Sequence, residues 1–564
     1  MSVADPILQA RRLEGDFAFP WKSFAEFIRS RVEDPQLADR AFLVYVDEDC
    51  GIEREYRYAE FGERLERLVS FMREVLGLRR GDRVTTVLFN HDQTVLLYFA
   101  AWILGIAVVP INVEESAEKK RYILEHSEAA AVFCWKAYMK EVESLCTDLP
   151  ALRTVIGVED DGCEVGPIFN RSDRPTVNEE TSLNDEALIV YTSGTTGPPK
   201  GVILTAANLL IDADAIAAWH GFGSADRLMC VLPIHHVNGT VCTLVTPLYF
   251  KGGTVLCRKF KTAGFWRNLA RFRITCVSVV PTLLEFLMDA DEDTSSQDLA
   301  GFGGFICGAG PLLRETAGRF ELRFGFPIRH GYGLSETTCY SCFLPNDLSA
   351  AERRDWLTRH EFPSIGLPIK HNEMVILNDR GEKVIDGMRG EICIRGRTVC
   401  SGYFKRPDAN EAAFRWGWFR SGDEGFVVRD AAGRPFFFIS GRLKELIIRG
   451  GVNISPLEID DVLKRHPAVK FAMAVPFENR YYGEEIAAYV VPRDGAVVPS
   501  EDALLEYCRT RLSFAKRPKV ILFGHDVPYT ATGKPKRLEL KARLADRLSS
   551  YREVQFKEKT LPIS

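Results

Sequence analysis

A loop of small polar residues is the segment of this chain best suited to chemistry on phosphate. Residues 192–201 read Thr-Ser-Gly-Thr-Thr-Gly-Pro-Pro-Lys-Gly and follow the apolar run 187–191, which is typical of a buried strand. Small side chains leave backbone N–H groups and hydroxyls free to surround a polyphosphate, and a lysine adds a point charge. The candidate phosphate ligands are Thr192, Ser193, Gly194, Thr195, Thr196 and Lys200.

The spacing within this loop differs from that of P-loop NTPases. Their motif has a glycine, four arbitrary residues and then Gly-Lys-Ser/Thr. Here two residues separate Gly194 from Gly197, and Lys200 is followed by Gly201. A kinase-like NTPase is therefore disfavoured, and release of pyrophosphate and AMP rather than ADP is the measurement that separates the two classes.

Residues further along the chain supply groups for chemistry on a nucleoside triphosphate. Such chemistry needs phosphate neutralisation, a metal and a nucleoside pocket. Glu336 is the candidate metal ligand, because Mg²⁺ usually binds through one or two carboxylates plus substrate phosphates. Tyr332 offers a flat ring for adenine. Close backbone approach and a hydroxyl for the α-phosphate are expected from Gly308, Ala309, Gly310, Gly331 and Ser335.

Six separated motifs resemble, in order and spacing, those of the AMP-forming adenylating enzymes, which include acyl-CoA synthetases, luciferases and the adenylation domains of peptide synthetases. The resemblance covers nearly the whole chain and is closest to the acyl-CoA synthetases (fatty-acid–CoA ligases). Ser335 and Ser421 stand where the family usually has Thr. The motifs are the loop 192–201, Gly308-Ala309-Gly310-Pro311, Tyr332-Gly333-Leu334-Ser335-Glu336, Ser421-Gly422-Asp423, Gly441-Arg442-Leu443-Lys444-Glu445 and the segment 528–534, which ends at Lys534.

The resemblance implies roles for residues that no single position would reveal. Asp423 is expected to accept both ribose hydroxyls, with Arg442 on the same sugar. Lys534 is expected to contact the substrate carboxylate and an ATP phosphate. Lys444 matches the hinge on which the C-terminal domain of the family rotates, and Gly451 matches the position of close approach in the CoA tunnel.

The acyl pocket is expected near His236, which matches a family histidine, although the adjacent His235 remains an alternative for that place. Val237 and Phe305 are the candidate pocket walls, together with Gly333, which stands where short-acid members carry a Trp. Because glycine has no side chain, the pocket is expected to extend past Gly333. The acid is then larger than acetate or propionate: a medium or longer aliphatic chain, as in fatty acid metabolism, or an aryl or cyclic acid.

The implied activity has two half-reactions and uses ATP, Mg²⁺ and CoA. The acid and ATP give an acyl-adenylate and pyrophosphate, and the CoA thiol then displaces AMP. Two alternatives share the first step and stay open: transfer to a carrier protein and luciferase-type oxidation. An amino-acid substrate is disfavoured, because residues 235–238 contain no carboxylate of the kind that amino-acid-activating members use to hold the α-amine.

Composition and charge limit the partners and the compartment. The net charge is −5 and no basic block occurs, which argues against a nucleic-acid partner. Residues 1–19 lack the apolar core of a signal peptide. The 14 cysteines are scattered, and the one CxxC, Cys339–Cys342, has no histidine at ligand spacing. These features predict a cytoplasmic enzyme whose partner is a small-molecule carboxylic acid.

The apolar run 94–111 is close to the length of a membrane span. Gly105 and Pro110 interrupt it, and its end is rich in β-branched residues, so a buried helix followed by a buried strand is the better interpretation. Integral membrane association is not expected, whereas peripheral association stays open.

The chain is too long for a single hydrophobic core, and helical and strand patterns alternate over residues 61–134. This predicts an α/β protein in which parallel-type sheets with flanking helices form a large N-terminal domain, residues 1–443. A strand-rich, glycine-punctuated stretch predicts a β-rich subdomain at about 364–440. A small mobile α/β domain, residues 444–564, is expected to carry the catalytic lysine and the CoA-side loop.

Overall fold

The computed structural model describes residues 5–159, 180–192, 198–290, 292, 294–530 and 533–556. Its strands, in chain order, are β1 Ala41–Asp47, β2 Ile52–Arg57, β3 Arg83–Val87, β4 Ala107–Ile111, β5 Ala131–Trp135, β6 Thr154–Val158, β7 Glu186–Thr192, β8 Lys200–Thr205, β9 Arg227–Cys230, β10 Gly253–Cys257, β11 Cys276–Val279, β12 Phe305–Cys307, β13 Ile328–Tyr332, β14 Cys342–Phe343, β15 Ser364–Pro368, β16 Asn372–Leu377, β17 Gly390–Gly396, β18 Phe419–Arg429, β19 Pro435–Arg442, β20 Ile447–Arg449, β21 Val452–Ile454, β22 Val469–Asn479, β23 Gly483–Pro492 and β24 Val520–Phe523.

The helices follow the same order, and a π-helical segment, Asn238–Val245, precedes α8. They are α1 Pro6–Ala10, α2 Phe24–Val32, α3 Tyr58–Ser70, α4 Asp92–Ile103, α5 Ala117–His126, α6 Met139–Leu145, α7 Ala206–His220, α8 Thr246–Tyr249, α9 Phe265–Arg271, α10 Pro281–Asp289, α11 Arg314–Phe324, α12 Ala350–Thr358, α13 Pro407–Ala413, α14 Pro456–Lys464, α15 Glu501–Arg509 and α16 Arg537–Leu548.

Three sheets organise these elements. A six-stranded sheet has the order β6-β5-β3-β4-β7-β8, and a thirteen-stranded sheet has the order β16-β17-β18-β19-β15-β14-β13-β12-β11-β9-β10-β1-β2. The third sheet, β21-β20-β23-β22 with β24 beside β23, belongs to the C-terminal part. The α/β architecture expected from the alternating pattern is confirmed.

The strand-rich stretch at 364–440 is not a separate sheet. Strands β15 to β19 continue the thirteen-stranded sheet from β14, with antiparallel pairing throughout. The central strands β9 to β13 are parallel, so one mixed sheet joins the parallel region to the antiparallel one. Asp423 in β18 is thereby placed on the same sheet as Tyr332 in β13.

The apolar run 94–111 folds as a buried helix and a buried strand, as the sequence predicts. All of α4 and β4 is buried, and Gly105 between them has a φ of +67°, which favours glycine. Among the described residues, the structure contains no helix that is both long and apolar enough to cross a membrane.

Separate hydrophobic cores support the two parts of the chain. Two clusters on either side of the thirteen-stranded sheet include the aromatic residues Phe61 and Phe305, respectively. Two further clusters contain only residues from Ile447 onwards. Burial of these apolar side chains is the main stabilising contribution to each part.

Candidate active site

The candidate site lies where the parallel strands of the large sheet end. Strands β9, β11, β12 and β13 are neighbours and parallel, so their carboxyl ends lie along one edge. Gly308 follows β12, and Tyr332 is the last residue of β13. Ligands of open α/β sheets bind at such an edge, in the crevice beyond the strand ends.

Tyr332, Asp423 and Arg442 form a buried polar cluster. The Tyr332 hydroxyl donates to Asp423 Oδ2 at 2.8 Å, and Arg442 Nε lies 3.2 Å from Asp423 Oδ1. The strand pairing of β18 with β19 places Asp423 directly opposite Arg442. Burial, and then the nearby Asp423 carboxylate, raise the pKa of Tyr332, which therefore stays a neutral donor.

One oxygen of this cluster has no hydrogen bond. Asp423 Oδ1 is buried and accepts no hydrogen bond from the described residues. Arg442 Nε lies close enough, but the angle at its N–H is not that of a hydrogen bond. A buried carboxylate oxygen without a donor costs free energy, so a ligand that brings hydroxyl groups fits here. A nucleoside has such hydroxyls on its ribose.

Glu336 and Lys200 meet through Tyr403, a residue that the sequence motifs did not indicate. The Tyr403 hydroxyl donates to Glu336 Oε1 at 2.9 Å, and the Lys200 ammonium lies 4.9 Å from the centre of the Tyr403 ring. Burial raises the pKa of the Glu336 carboxyl, an effect that Lys200 opposes. A buried carboxylate beside a lysine favours a multivalent cation together with phosphate.

The chain itself offers few ligands to a metal. Among the described residues, no group of three or more His, Cys, Asp or Glu side chains could hold a metal ion. A single carboxylate fits Mg²⁺, which takes much of its coordination from substrate phosphates and water, and does not fit a metal that requires a protein cage.

Residues of the phosphate loop lie partly outside the described residues. Thr192 ends β7 and pairs with Lys200 at the start of β8. Ser193, Gly194, Thr195 and Thr196 belong to the part of the chain that the structure does not describe. Ser335 begins a short 3₁₀ turn that also contains Glu336.

Two glycines of the site allow close packing. A Cβ on Gly331 would lie 2.5 Å from a ring carbon of Phe343, and one on Gly310 would lie 3.3 Å from Pro281. Ala309 has a φ of +58°, which is uncommon for a residue with a side chain. The Gly308–Pro311 segment is therefore a tight turn directly after β12.

Lys534 reaches this region from the C-terminal part of the chain. Gly533 has a φ of +78°, and its carbonyl accepts a hydrogen bond from Thr282 Oγ1 at 2.7 Å. Burial, and then repulsion from Arg442, lower the pKa of Lys534 to about 8. The structure thus brings Lys534 and the Asp423–Arg442 pair together, although more than 90 residues separate them in the sequence.

Lys444 and Gly451 lie on exposed backbone. Lys444 occupies a 3₁₀ turn, Leu443–Glu445, directly after β19. Gly451 is in the turn between β20 and β21, with a φ of +83°, and a Cβ there would meet no atom within 4 Å. Both positions can change conformation without disturbing a packed core.

His235 and His236 stand at the start of the π-helical segment, in a loop held by Asn90. Asn90 donates to the Leu232 carbonyl at 2.9 Å and accepts from the Ile234 N–H at 2.8 Å. Burial, and then Lys119, lower the pKa of His236 to about 4. Burial also lowers the pKa of His235, so both rings are neutral at pH 7.

Comparisons with known proteins agree with this geometry. The family model described as AMP-binding enzyme matches residues 32–404, and the model described as AMP-binding enzyme C-terminal domain matches residues 458–534. Sulfoacetate–CoA ligase of Cupriavidus necator is 37% identical over 469 residues, covering 82% of this chain and 88% of that protein. Oxalate–CoA ligase of Arabidopsis thaliana is 30% identical, with 85% and 92% covered.

The chain belongs to the AMP-binding enzyme family. A solved structure of o-succinylbenzoate coenzyme A synthetase from Bacillus subtilis, in complex with ATP and magnesium ion, superposes with a TM-score of 0.76 at 27% identity, covering 91% of this chain and 99% of that one. The activity is that of an AMP-forming acid–CoA ligase, which uses ATP, Mg²⁺ and CoA. The substrate is a small-molecule carboxylic acid.

Phe305 and Gly333, two of the expected walls of the acyl pocket, have packing roles in this AMP-binding enzyme. Phe305 is fully buried in an aromatic cluster with Trp266, Phe302 and Phe320 on the far face of β12. A Cβ on Gly333 would lie 2.7 Å from the carbonyl carbon of Cys339. This close backbone approach accounts for the glycine, and the extension of the pocket past Gly333 stays a prediction.

A buried polar network begins at the residue after Val237. Val237 is 8% exposed and packs in the core, but the next residue, Asn238, donates to the Tyr340 hydroxyl at 3.0 Å. Ser278 in β11 donates to Asn238 Oδ1 at 2.7 Å. Sequence reasoning missed these three residues, because none of them lies in a run of charged or glycine residues.

Proposed function

We propose that Tyr332, Asp423 and Arg442 bind the nucleoside of ATP, and that Lys200 and Glu336 act on its phosphates. Asp423 Oδ1, buried and without a hydrogen bond among the described residues, supports the ribose assignment. Mg²⁺ held by Glu336 and the phosphates supplies neutralisation of negative charge. Thr192 and the remainder of its loop offer further phosphate contacts.

Lys534 aligns the acid and ATP for the first half-reaction. A carboxylate oxygen of the acid attacks the α-phosphorus, and the bond from that phosphorus to the bridging oxygen breaks, which releases pyrophosphate. The attack brings two anions together, and a buried ammonium offsets their repulsion. The observation that carries this proposal is the position of Lys534 beside the Asp423–Arg442 pair, with Gly533 bound to Thr282.

A comparison of the two half-reactions tests this role. In Lys534→Ala, pyrophosphate release should fall by about 100-fold or more, the size typical for a group that stabilises transition-state charge. Thioester formation from a supplied acyl-adenylate and CoA should remain near the wild-type rate. Equal loss of both half-reactions would contradict a role confined to adenylation.

The second half-reaction requires the C-terminal part to move, with Lys444 as the hinge and Gly451 at the CoA tunnel. Support comes from their exposed backbone and from the independent cores of residues 447–556. These cores also support a domain boundary near residue 443. A few loop residues are sufficient to absorb the rotation of a domain.

Gly451→Leu tests the tunnel, with Gly433→Leu as the matched control. Both glycines lie in exposed turns with positive φ, and neither has an atom within 4 Å of its Cβ position. The backbone strain of the two variants is therefore similar. Gly451→Leu should slow thioester formation while single-turnover pyrophosphate release survives, and Gly433→Leu should retain both steps. Thioester formation at the wild-type rate in Gly451→Leu would refute the tunnel assignment.

For the acid, we propose a compact molecule with a second polar group rather than a fatty acid. The polar residues beside Val237 support this, as does the packing role of Gly333. The similar proteins named above act on sulfoacetate and oxalate, both small and doubly acidic. A pyrophosphate-release screen should rank sulfoacetate, oxalate and malonate above octanoate and benzoate; the reverse ranking would contradict the proposal.

The cytoplasm is the proposed compartment, and CoA is the proposed acceptor. No disulfide joins the cysteines of the described residues, which supports the reducing cytoplasm. A carrier protein remains a second acceptor to test, by offering a phosphopantetheinylated carrier in place of CoA.

A further inference from the structure

A buried tyrosine lies directly beside the turn that follows β12. A Cβ added to Gly308 would lie 2.8 Å from a ring carbon of Tyr340 and 2.9 Å from its hydroxyl. Tyr340 itself is 1% exposed. Its ring therefore rests against the Gly308 main chain.

The Tyr340 hydroxyl is held by Asn238, which is held in turn by Ser278. Asn238 donates to it at 3.0 Å, and Ser278 donates to Asn238 Oδ1 at 2.7 Å. The three residues come from the loop before β14, the π-helical segment and β11, and all are buried. An amide carries two N–H donors, and one Asn238 donor is used by Tyr340, so this network retains a capacity to bind a further acceptor.

The Tyr340 backbone is fixed by a carboxyl group behind it. The Tyr340 N–H donates to Asp212 Oδ2 at 3.1 Å. Asp212 in α7 is fully buried, and its Oδ1 has no hydrogen-bond partner among the described residues. Burial raises the pKa of Asp212 well above its usual range, so the carboxyl is neutral and serves as a hydrogen-bonding group.

We infer that Tyr340 forms the end wall of the acyl pocket and selects short acids whose far end accepts a hydrogen bond, with Asp212 positioning Tyr340. The inference rests on the proposed function, in which a compact acid with a second polar group binds beside Val237. An alkyl chain pressed against the Asn238–Tyr340 pair would gain no hydrogen bond and would meet the ring. Sites built to hydrogen-bond a substrate reject analogues that lack the matching group.

Two substitutions of Tyr340 distinguish the steric role of its ring from the hydrogen-bonding role of its hydroxyl. Tyr340→Phe keeps the ring and removes the hydroxyl, so kcat/KM for malonate should fall about tenfold, while that for butyrate changes little. Tyr340→Ala removes the wall, and hexanoate and octanoate should gain activity relative to butyrate. The KM for ATP should stay within about twofold in both variants.

Tyr58→Phe is the matched control, since Tyr58 is also fully buried and donates its hydroxyl to the Gly252 carbonyl at 2.7 Å, away from these residues. It should leave the malonate-to-butyrate ratio unchanged. A Tyr340→Phe variant that loses activity equally on all acids would overturn the inference. If Tyr340→Ala does not fold, the malonate-to-butyrate ratio of Tyr340→Phe decides alone.

Asp212 is tested as a positioning residue by rescue. Asp212→Leu removes the acceptor of the Tyr340 N–H and should raise the KM for malonate without changing the KM for ATP. Asp212→Asn keeps a carbonyl acceptor and should restore the KM for malonate. Parallel increases in both KM values, or no rescue by Asn, would show a general structural role and overturn this part.

Failure of the inference is distinguishable from failure of the proposed function. If the wild-type enzyme releases ADP, or no pyrophosphate with any acid, the adenylation assignment fails. If the wild-type enzyme forms CoA thioesters but prefers octanoate or benzoate to malonate, the adenylation assignment stands, and the proposed acid and the role of Tyr340 are both overturned. If the wild-type enzyme prefers malonate but Tyr340→Phe loses activity equally on all acids, the role of Tyr340 alone is overturned.

Discussion

The two halves of the candidate cleft differ in how they are charged. The nucleotide half contains Asp423, Arg442, Glu336, Lys200 and Lys534, all of which carry or can carry charge. The acyl half, formed by Asn238, Ser278, Tyr340 and Asp212, has no charged group at pH 7, because burial keeps Asp212 protonated. His236 beside it is neutral as well, with a pKa of about 4.

This difference matches the two substrates. ATP brings several negative charges in a fixed arrangement, and preorganised charges act strongly on it in a cleft that excludes water. An acid is distinguished from other acids by the size and hydrogen bonding of its tail. Substitutions that change charge in the cleft should therefore alter kcat/KM mainly for ATP. Substitutions that change its shape should alter kcat/KM mainly for the acid.

The largest expected effect comes from removing charge in the nucleotide half. Asp423→Asn should lower kcat/KM for ATP about 100-fold, because hydrogen bonds to charged groups contribute roughly 1.5–3 kcal/mol each and two are lost or weakened. The KM for the acid should change less than about twofold. Asp408→Asn, an exposed change in α13, is the control. An equal rise in both KM values would remove the distinction between the halves.

The pH dependence of adenylation should follow Lys534. Its pKa is lowered to about 8 in the free enzyme, so the ammonium is present below that pH and is lost above it. The value of kcat/KM for pyrophosphate release should fall about tenfold per pH unit above the pKa. Folding lowers the pKa from 10.5, so the unfolded chain binds more protons between the two values. This lysine therefore destabilises the folded state at lower pH, and that cost is relieved as pH rises through the interval.

Lys534→Arg provides the control for this pH effect. Arginine stays protonated throughout the range, so the fall above the pKa should disappear, even if the rate at neutral pH is lower. Thioester formation from a supplied acyl-adenylate should show no such fall in the wild-type enzyme. A fall that persists in the arginine variant would assign it to another group.

The charged half could be predicted from the sequence, whereas the neutral half could not. Charged residues such as Asp423 and Lys534 lie beside glycines in short runs with characteristic spacing. Each run can therefore be recognised as a candidate site from the sequence alone. Tyr340, Asn238 and Ser278 meet only because β11, the π-helical segment and the loop before β14 pack together. No local sequence pattern predicts such a contact. The contact of Tyr403 with Glu336 could not be predicted for the same reason.

Other expectations depend on packing that the sequence does not show. Residues of a strand alternate between faces, so of Phe305 and Ile306 only one can face the cleft side, but the sequence does not tell which. A glycine such as Gly333 signals either open space or close backbone approach, and only the position of the Cys339 carbonyl decides. The continuity of the thirteen-stranded sheet depends on edge pairing that composition does not encode.

A change of shape in the acyl half should act on the acid. Gly308→Ala places a methyl group 2.8 Å from the Tyr340 ring, so the ring must shift and the pocket narrows. We expect kcat/KM for the acid to fall about fivefold, within the range of cost for overpacking a buried site, with a smaller change in the KM for ATP. Gly318→Ala is the control, because its Cβ would make an ordinary 3.5 Å contact with Thr358. A larger effect on ATP would place Gly308 in the nucleotide half.

The smallest expected effect concerns the contact that presents Lys534 to both halves. Arg314 in α11 donates to Asp461 Oδ2 in α14 at 2.8 and 3.0 Å, and Lys464 donates to Glu285 at 2.6 Å. These ion pairs join the C-terminal part to the large part and must separate if the domain rotates.

Arg314→Met should lower kcat/KM for adenylation about two- to threefold, a small effect because the Asp461 carboxylate keeps its ion pair with Arg465 when Arg314 is removed. The decrease in kcat/KM should be equal for ATP and for the acid, because docking of the C-terminal part brings Lys534 to both substrates. The rate of thioester formation should not fall. Arg319→Met, on the same helix and paired only 3.7 Å from Glu315 within it, is the control. A change confined to one substrate would mean that this contact shapes one half of the cleft directly rather than holding the domain that serves both.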